Sequence, residues 1–192
     1  MGAENERGSR RRCCVLSQSV NVVLIRTALP SDVPQIADVN VRSWQAAYRG
    51  HMPDSFLDAL DPVQRAAWWA QVVVDPEVTV LVAVEAGQLV GFSSFLACRD
   101  DDAAPATCEI ATLYVDPRHW RSGCGASLVE AVVRIARQGA SREISLWVLG
   151  TNVAARAFYE SLGFAHDGRS KTDSRLGLVL HEVRYRRQLP EI

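Results

Sequence analysis

The chain has no apolar run as long as the ~18 residues a membrane-crossing helix needs. It has no Cys-x-x-Cys pair: Cys13, Cys14, Cys98, Cys108 and Cys124 are odd in number and irregularly spaced. The four histidines, His51, His119, His166 and His181, show no ligand spacing. These absences argue against a disulfide framework and against a metal site, and they fit a reducing cytoplasm. Charge is nearly balanced, with a formal net charge of -1 over 192 residues, so nothing draws the chain in bulk to nucleic acid or to a membrane. There are no internal repeats, and no low-complexity segment interrupts the main body.

What is present is ordinary for one globular domain: 48% hydrophobic and 22% charged residues, enough for a single substantial core. Residues 1–20 read differently. Arg10-Arg11-Arg12 precedes a stretch diluted by Ser17, Gln18, Ser19 and Asn21, which makes a poor signal peptide. Met1-Gly2 starts like a myristoylation signal, but Glu6 stands where Ser or Thr is wanted. The expectation is a disordered basic tail over 1–20 and one domain over 21–192.

Within that domain, residues 22–26 predict a short first strand. A helix follows from Asp32, with Asp32 as cap and Gln35 completing a capping box. Its spacing puts Trp44 and Tyr48 on one face. Residues 54–73 are helical, broken at Asp61-Pro62, and residues 79–84 and 88–96 form a hairpin. Residues 108–115 make the next strand, and alternation puts Glu109, Ala111, Leu113 and Val115 on one face. A helix with a buried stripe from Leu128 to Ala136 connects it to a strand over 143–149, so the two strands should be parallel. Asn152 caps a helix ending at Gly163, and residues 179–187 form a last strand.

The chain is organised around residues 114–128. A strand stops at Pro117, a polar loop follows, and Gly123 and Gly125 open a helix. Strand, glycine loop and helix cradle phosphate, because backbone N–H groups converge there and glycine brings no Cβ. The loop has no Gly-Lys-Ser/Thr ending, which argues against a P-loop. It also lacks a third glycine and a following acidic residue, which argues against a dinucleotide site.

Three segments in order then resemble one family: Glu109 to Pro117, the Gly123-x-Gly125-Ala126 loop, and Asn152-x-x-Ala155-x-x-Phe158-Tyr159-Glu160-x-x-Gly163-Phe164. Together they resemble the GNAT superfamily of acyl-CoA-dependent N-acyltransferases. The likeness runs by element order over 22–187 and by motif over 108–165. It implies an α+β (α/β) fold with a mixed, mostly antiparallel sheet, a central splayed parallel strand pair and helices on both faces. It implies acetyl-CoA as co-substrate and no metal. The pyrophosphate would lie on Arg121, Ser122, Gly123, Cys124, Gly125 and Ala126. The pantetheine would lie beside the backbone of Leu113, Tyr114 and Val115, with Asn152 near it and Tyr159 near the thioester sulfur. The family loop usually begins with Arg or Gln, and Trp120 stands there instead, followed by Arg121.

Acyl transfer to an amine needs a proton acceptor, a polarised carbonyl and a proton for the leaving thiolate. Glu109 is the candidate base and Tyr159 the candidate acid. Glu109 also reads as a salt-bridge partner on a strand, and Tyr159 as a core tyrosine. Cys124 reads as a small apolar filler in preference to a nucleophile. Trp44 and Tyr48, with Trp68 and Trp69, are candidates for the acceptor-pocket wall or for plain core. Asp100–Asp102 read as a solvated loop in preference to an attractor of cationic amines, and Arg184, Arg186 and Arg187 as snorkelling from an outer strand. The expected partners are acetyl-CoA and an amine acceptor, not nucleic acid or membrane, and a homodimer is left open. The competing reading is a non-catalytic acyl-CoA-binding sensor or interaction module.

Overall fold

The computed structural model describes residues 23–174 and 178–190. The expected tail over 1–20, with Cys13 and Cys14, lies outside the described residues. Strands are β1 (Leu24–Thr27), β2 (Thr79–Glu85), β3 (Gln88–Ala97), β4 (Thr107–Val115), β5 (Glu143–Leu149), β6 (Ala165–Asp173) and β7 (Leu180–Gln188). Helices are α1 (Val33–Ala47), α2 (Asp54–Asp58), α3 (Pro62–Val74), α4 (Cys124–Gln138) and α5 (Val153–Ser161). No helix of the described residues is long and apolar enough to cross a membrane.

The strands form one sheet in the order β1-β2-β3-β4-β5-β7-β6. Every neighbouring pair is antiparallel except β4 and β5, which the α4 crossover makes parallel. One face carries α4, whose Leu128, Val129 and Val132 pack against Ile110, Ile144 and Leu146. The other carries α1 and α3, whose Ile36, Val39 and Trp69 pack against Val80, Val82 and Phe92. With both sheet faces covered, β2 and β3 are buried along nearly their whole lengths, Ser93 and Ser94 included.

The structure adds to or corrects the sequence reading at three places. First, β4 does not alternate evenly. Its register with β3 shifts so that Ser94 pairs with Thr112 and Phe95 with Ile110, which leaves Ala111 as an extra, bulged residue. The bulge turns Glu109 to the same side as Thr112 and Tyr114, away from Leu113 and Val115, which pack on the α4 side. Second, residues 165–173 are a strand. The segment is almost wholly exposed and has no apolar face to announce itself, and Gly168 at φ +87° sits in its irregular register with β7. Such a polar edge resists pairing with other chains. Third, Asp32 does not cap α1 with its side chain. Its carboxylate turns back to Leu29 N at 2.7 Å and to Arg26 at 2.6 and 2.9 Å, while Gln35 Oε1 accepts from Leu89 N at 3.0 Å.

Candidate functional site

β4 and β5 are paired over four positions, Thr107–Ile110 with Glu143–Leu146, and no further. From Ala111 and Trp147 onward the two strands run apart. The β4 backbone from Thr112 to Val115 is therefore paired on its β3 edge alone. The bulge lies where the strands part. A gap of this kind presents strand hydrogen-bonding groups to whatever extended molecule enters it.

At the C-terminal end of the gap lies the glycine loop. Gly123 is the N-cap of α4 at φ +87°, a conformation that side-chain-bearing residues rarely adopt. Ser127 N is bonded to Gly123 O at 3.0 Å, so the N–H groups of Cys124, Gly125 and Ala126 have no acceptor within the helix. Nothing lies within 4 Å of where a Gly123 Cβ would stand. These donors can hold an anion such as a pyrophosphate. Gly125 has a different reason. Its Cβ would stand 3.2 Å from Phe158 Cζ, so glycine lets α5 pack close to α4.

The rest of the loop is tied down. Arg121 adopts φ +60° and Ser122 Oγ donates to His119 O at 2.7 Å. The Trp120 indole N–H donates to Val115 O at 2.7 Å, and Ser43 Oγ donates to the same carbonyl at 2.9 Å. Trp120 thus locks the loop to the end of β4, a structural task that the usual Arg or Gln signal does not announce. Ser43 gave no signal in the sequence. Cys124 is buried in the α4-side core, and burial pushes its thiol up to about 11, as expected of a filler.

Glu109 is buried and points to the α1 side, where Arg99 holds it: Nη2 to Oε1 at 2.7 Å, with Nε and the backbone N to Oε2 at 3.3 Å each. Tyr159 comes from the opposite side. It sits in the α4-side core against Phe158 and Phe164, and burial pushes its phenol well above the usual tyrosine range. The neighbouring Tyr48 phenol adds to that rise, and Tyr159 in turn acts on Tyr114. Tyr48 and Tyr114 both pack on Trp44 on the α1 side, and Tyr159 lies on the α4 side. Asn152 caps α5, its Oδ1 accepting from Ala155 N at 3.1 Å.

Trp44 and Tyr48 stack edge-to-face at 5.1 Å on the α1 side, in a cluster with Phe56, Leu149 and Leu180, and Trp44 also lies 6.3 Å from Tyr114. The other two tryptophans do not share that place. Trp69 is core against Phe92, and Trp68 is half exposed on α3. The aspartate loop is not simply solvated, and Arg184 does not snorkel. Arg184 is 3% exposed and bonds Asp100 at 2.9 Å, Asp102 at 2.6 and 2.8 Å and Asp167 at 2.7 Å, clamping the β3–β4 loop to β6 and β7. A recess of about 370 Å³ between Gln35, Arg42, Glu85, Arg118 and His119 contains none of the expected site residues.

Comparison with known proteins points the same way. Residues 39–164 match the acetyltransferase (GNAT) family. A probable N-acetyltransferase of Mycobacterium tuberculosis is 29% identical over 177 residues, which cover 85% of this chain and 92% of that one. Human N-acetyltransferase 8 is 31% identical over 110 residues, 57% of this chain and 48% of its own. Among solved structures, the PaiA N-acetyltransferase of Thermoplasma acidophilum in complex with coenzyme A superposes with a TM-score of 0.72 at 17% identity, covering 87% of this chain and 99% of that one. YncA of Salmonella typhimurium, solved with its cofactor acetyl-CoA, gives a TM-score of 0.65 at 25% identity, covering 89% and 96%.

Proposed function

The chain belongs to the GNAT family of acetyltransferases, and from that premise we propose that it moves the acetyl group of acetyl-CoA to a primary amine by direct attack, with Glu109 as base and Tyr159 as acid. The observation that carries this reading is the parting of β4 and β5 after Ile110 and Leu146, with Glu109 reaching the sheet from one side and Tyr159 from the other. We infer that the whole of 21–192 serves as one acyltransferase domain.

In this reading the N–H groups of Cys124, Gly125 and Ala126, together with Arg121 and Ser122, hold the pyrophosphate. The free edge of Leu113, Tyr114 and Val115 aligns the pantetheine, with Asn152 beside it. Val115 O is already taken by Ser43 and Trp120, so the remaining backbone groups of that edge do the aligning. Trp44 and Tyr48 wall the acceptor side. Glu109 takes the proton from the incoming ammonium, directly or through a water, and edge N–H groups polarise the carbonyl. Tyr159 keeps its proton at neutral pH, because burial raises its phenol, and gives it to the departing thiolate. Alignment of the two substrates supplies much of the rate without a covalent enzyme intermediate.

A second reading, an acyl-CoA-binding module without catalysis, draws on one observation: Arg99 already occupies both carboxylate oxygens of Glu109. A panel of primary amines, monitored by thiol release and by product mass, separates the two. Amine-dependent thiol release supports transfer. Saturable acetyl-CoA binding with no release on any amine supports the module.

A further inference from the structure

The chain contains a single lysine, Lys171, among 21 basic Lys and Arg residues. It stands on the edge strand β6, opposite Glu182 of β7. Its ammonium does not hang in solvent from that edge. Nζ lies 4.1 Å from the centroid of the Trp147 ring and 3.6 Å from Glu182 Oε2. Trp147 belongs to β5, two strand spacings of ~4.8 Å each from β6, so the two side chains meet over β7.

The place it reaches is the border of the gap. Leu146 is the last β5 residue paired with β4, and Trp147 is the next one. Trp147 Nε1 donates to Asp100 Oδ1 at 3.0 Å, which fixes the ring. Leu149, two residues further along β5 and opposite Glu182, packs in the cluster that holds Trp44 and Tyr48, so Nζ lies on the same side of the sheet as the expected acceptor wall. A ring face and a carboxylate together suit an alkylammonium. Here the occupant is a primary amine of the chain itself, on the side of the sheet to which Glu109 points.

We propose that Lys171 is a self-acetylation site, modified by the acetyl thioester bound in the gap of the same molecule. This rests on the acetyltransferase reading above. The ammonium first loses a proton, to Glu182 or to water. The neutral Nζ then attacks the thioester carbonyl, the N–C bond forms and the C–S bond breaks, and the proton that the nitrogen sheds on becoming an amide balances the one taken up by the departing thiolate, which leaves as free CoA. The product is an uncharged amide, so the cation–π contact with Trp147 and the ion pair with Glu182 are both lost. The border of the gap thereby gains a net negative charge.

The full chain incubated with deuterated acetyl-CoA tests this, read by intact mass and by mapping of the labelled peptide. The expected result is one deuterated acetyl group on Lys171, added at a first-order rate independent of protein concentration. That rate should exceed the rate in urea-unfolded chain by at least about tenfold. Lys171→Arg, which keeps the charge, should abolish the label. The same samples are assayed with added primary amines. Acetylation of added amines with Lys171 unlabelled overturns this inference and leaves the acetyltransferase reading standing, whereas no transfer to any amine or to Lys171 overturns both. Labelling at the same rate in folded and unfolded chain also overturns the inference.

Discussion

The guanidinium of Arg99 lies 2.7 Å from Glu109 Oε1, and the same arginine reaches Oε2 through Nε and through its own backbone N–H. The carboxylate is buried, but its partner is 59% exposed. Such a pair orients more than it stabilises, because an exposed guanidinium is screened by water and salt. On the proposed reading Arg99 positions the Glu109 carboxylate and takes no direct part in the chemistry. Arg99→Ala should lower kcat by about threefold to tenfold and leave the KM for acetyl-CoA within about twofold. A loss of kcat far beyond that would give Arg99 a part in the chemistry itself.

Tyr159 lies in the core with a phenol pushed up by burial. Its pKa is raised relative to the unfolded chain, so the folded state holds the proton where the unfolded chain releases it. The associated stability is present below the ordinary tyrosine value near ~10 and is lost as pH rises through and above it. Accordingly kcat should show no loss from Tyr159 ionisation between pH 7 and about pH 10. Tyr159→Phe should lower kcat by about 10²–10⁴-fold if the phenol is the acid. Steady-state kinetics across that pH range, with circular dichroism to confirm folding, check both.

The two loop glycines should fail differently. Gly123→Ala forces a side chain into φ +87°, which costs about 1–2 kcal/mol and should raise the KM for acetyl-CoA by disturbing the first N–H groups of α4. Gly125→Ala keeps an allowed backbone and instead pushes Phe158, whose ring end must move by a few tenths of an ångström. Its main effect should fall on thermal stability and on kcat through α5, which carries Tyr159. A calorimetric acetyl-CoA titration of the two variants separates these outcomes.

Asp116 follows β4 directly, is 1% exposed, and accepts from Arg118 N, Arg118 Nε and Nη2, and Arg42 Nε at 2.8–3.0 Å. The Arg118 hydrogen bonds, with Arg42 adding to them, hold its carboxyl well below the usual range. A depressed carboxylate contributes stability that is present above its unfolded value near ~4 and is lost as pH falls through its folded value. Urea unfolding from pH 7 to pH 3 should show this loss. Asp116→Asn should lower stability at pH 7 by about 1–3 kcal/mol and flatten the acid limb.

Much of the fold was legible because its signals are local. The glycine loop, the Asn152 cap and the parallel pair joined by α4 all follow from turn chemistry and periodicity, and each is present. The strand β6 was not legible, because an edge strand that buries nothing leaves no period-2 pattern. The facing of Glu109 was misread because one bulged residue, Ala111, reverses strand parity without any mark in composition. Glu109 reads as a salt-bridge partner in the sequence, but Arg99 could not be named as that partner because it is ten residues away in a different strand's loop, and Ser43, Trp120 and Val115 O come together only in three dimensions. Arg184 reads as an outer-strand arginine until Asp100, Asp102 and Asp167 are seen around it.

The most direct test is amine-dependent release of CoA by the wild-type chain and by Glu109→Gln, measured side by side at saturating acetyl-CoA. The account predicts release by the wild type that requires a primary amine, and a rate reduced by about 10²–10⁴-fold in the variant, with acetyl-CoA binding retained. Equal rates in the two proteins, or release that needs no amine, would contradict it.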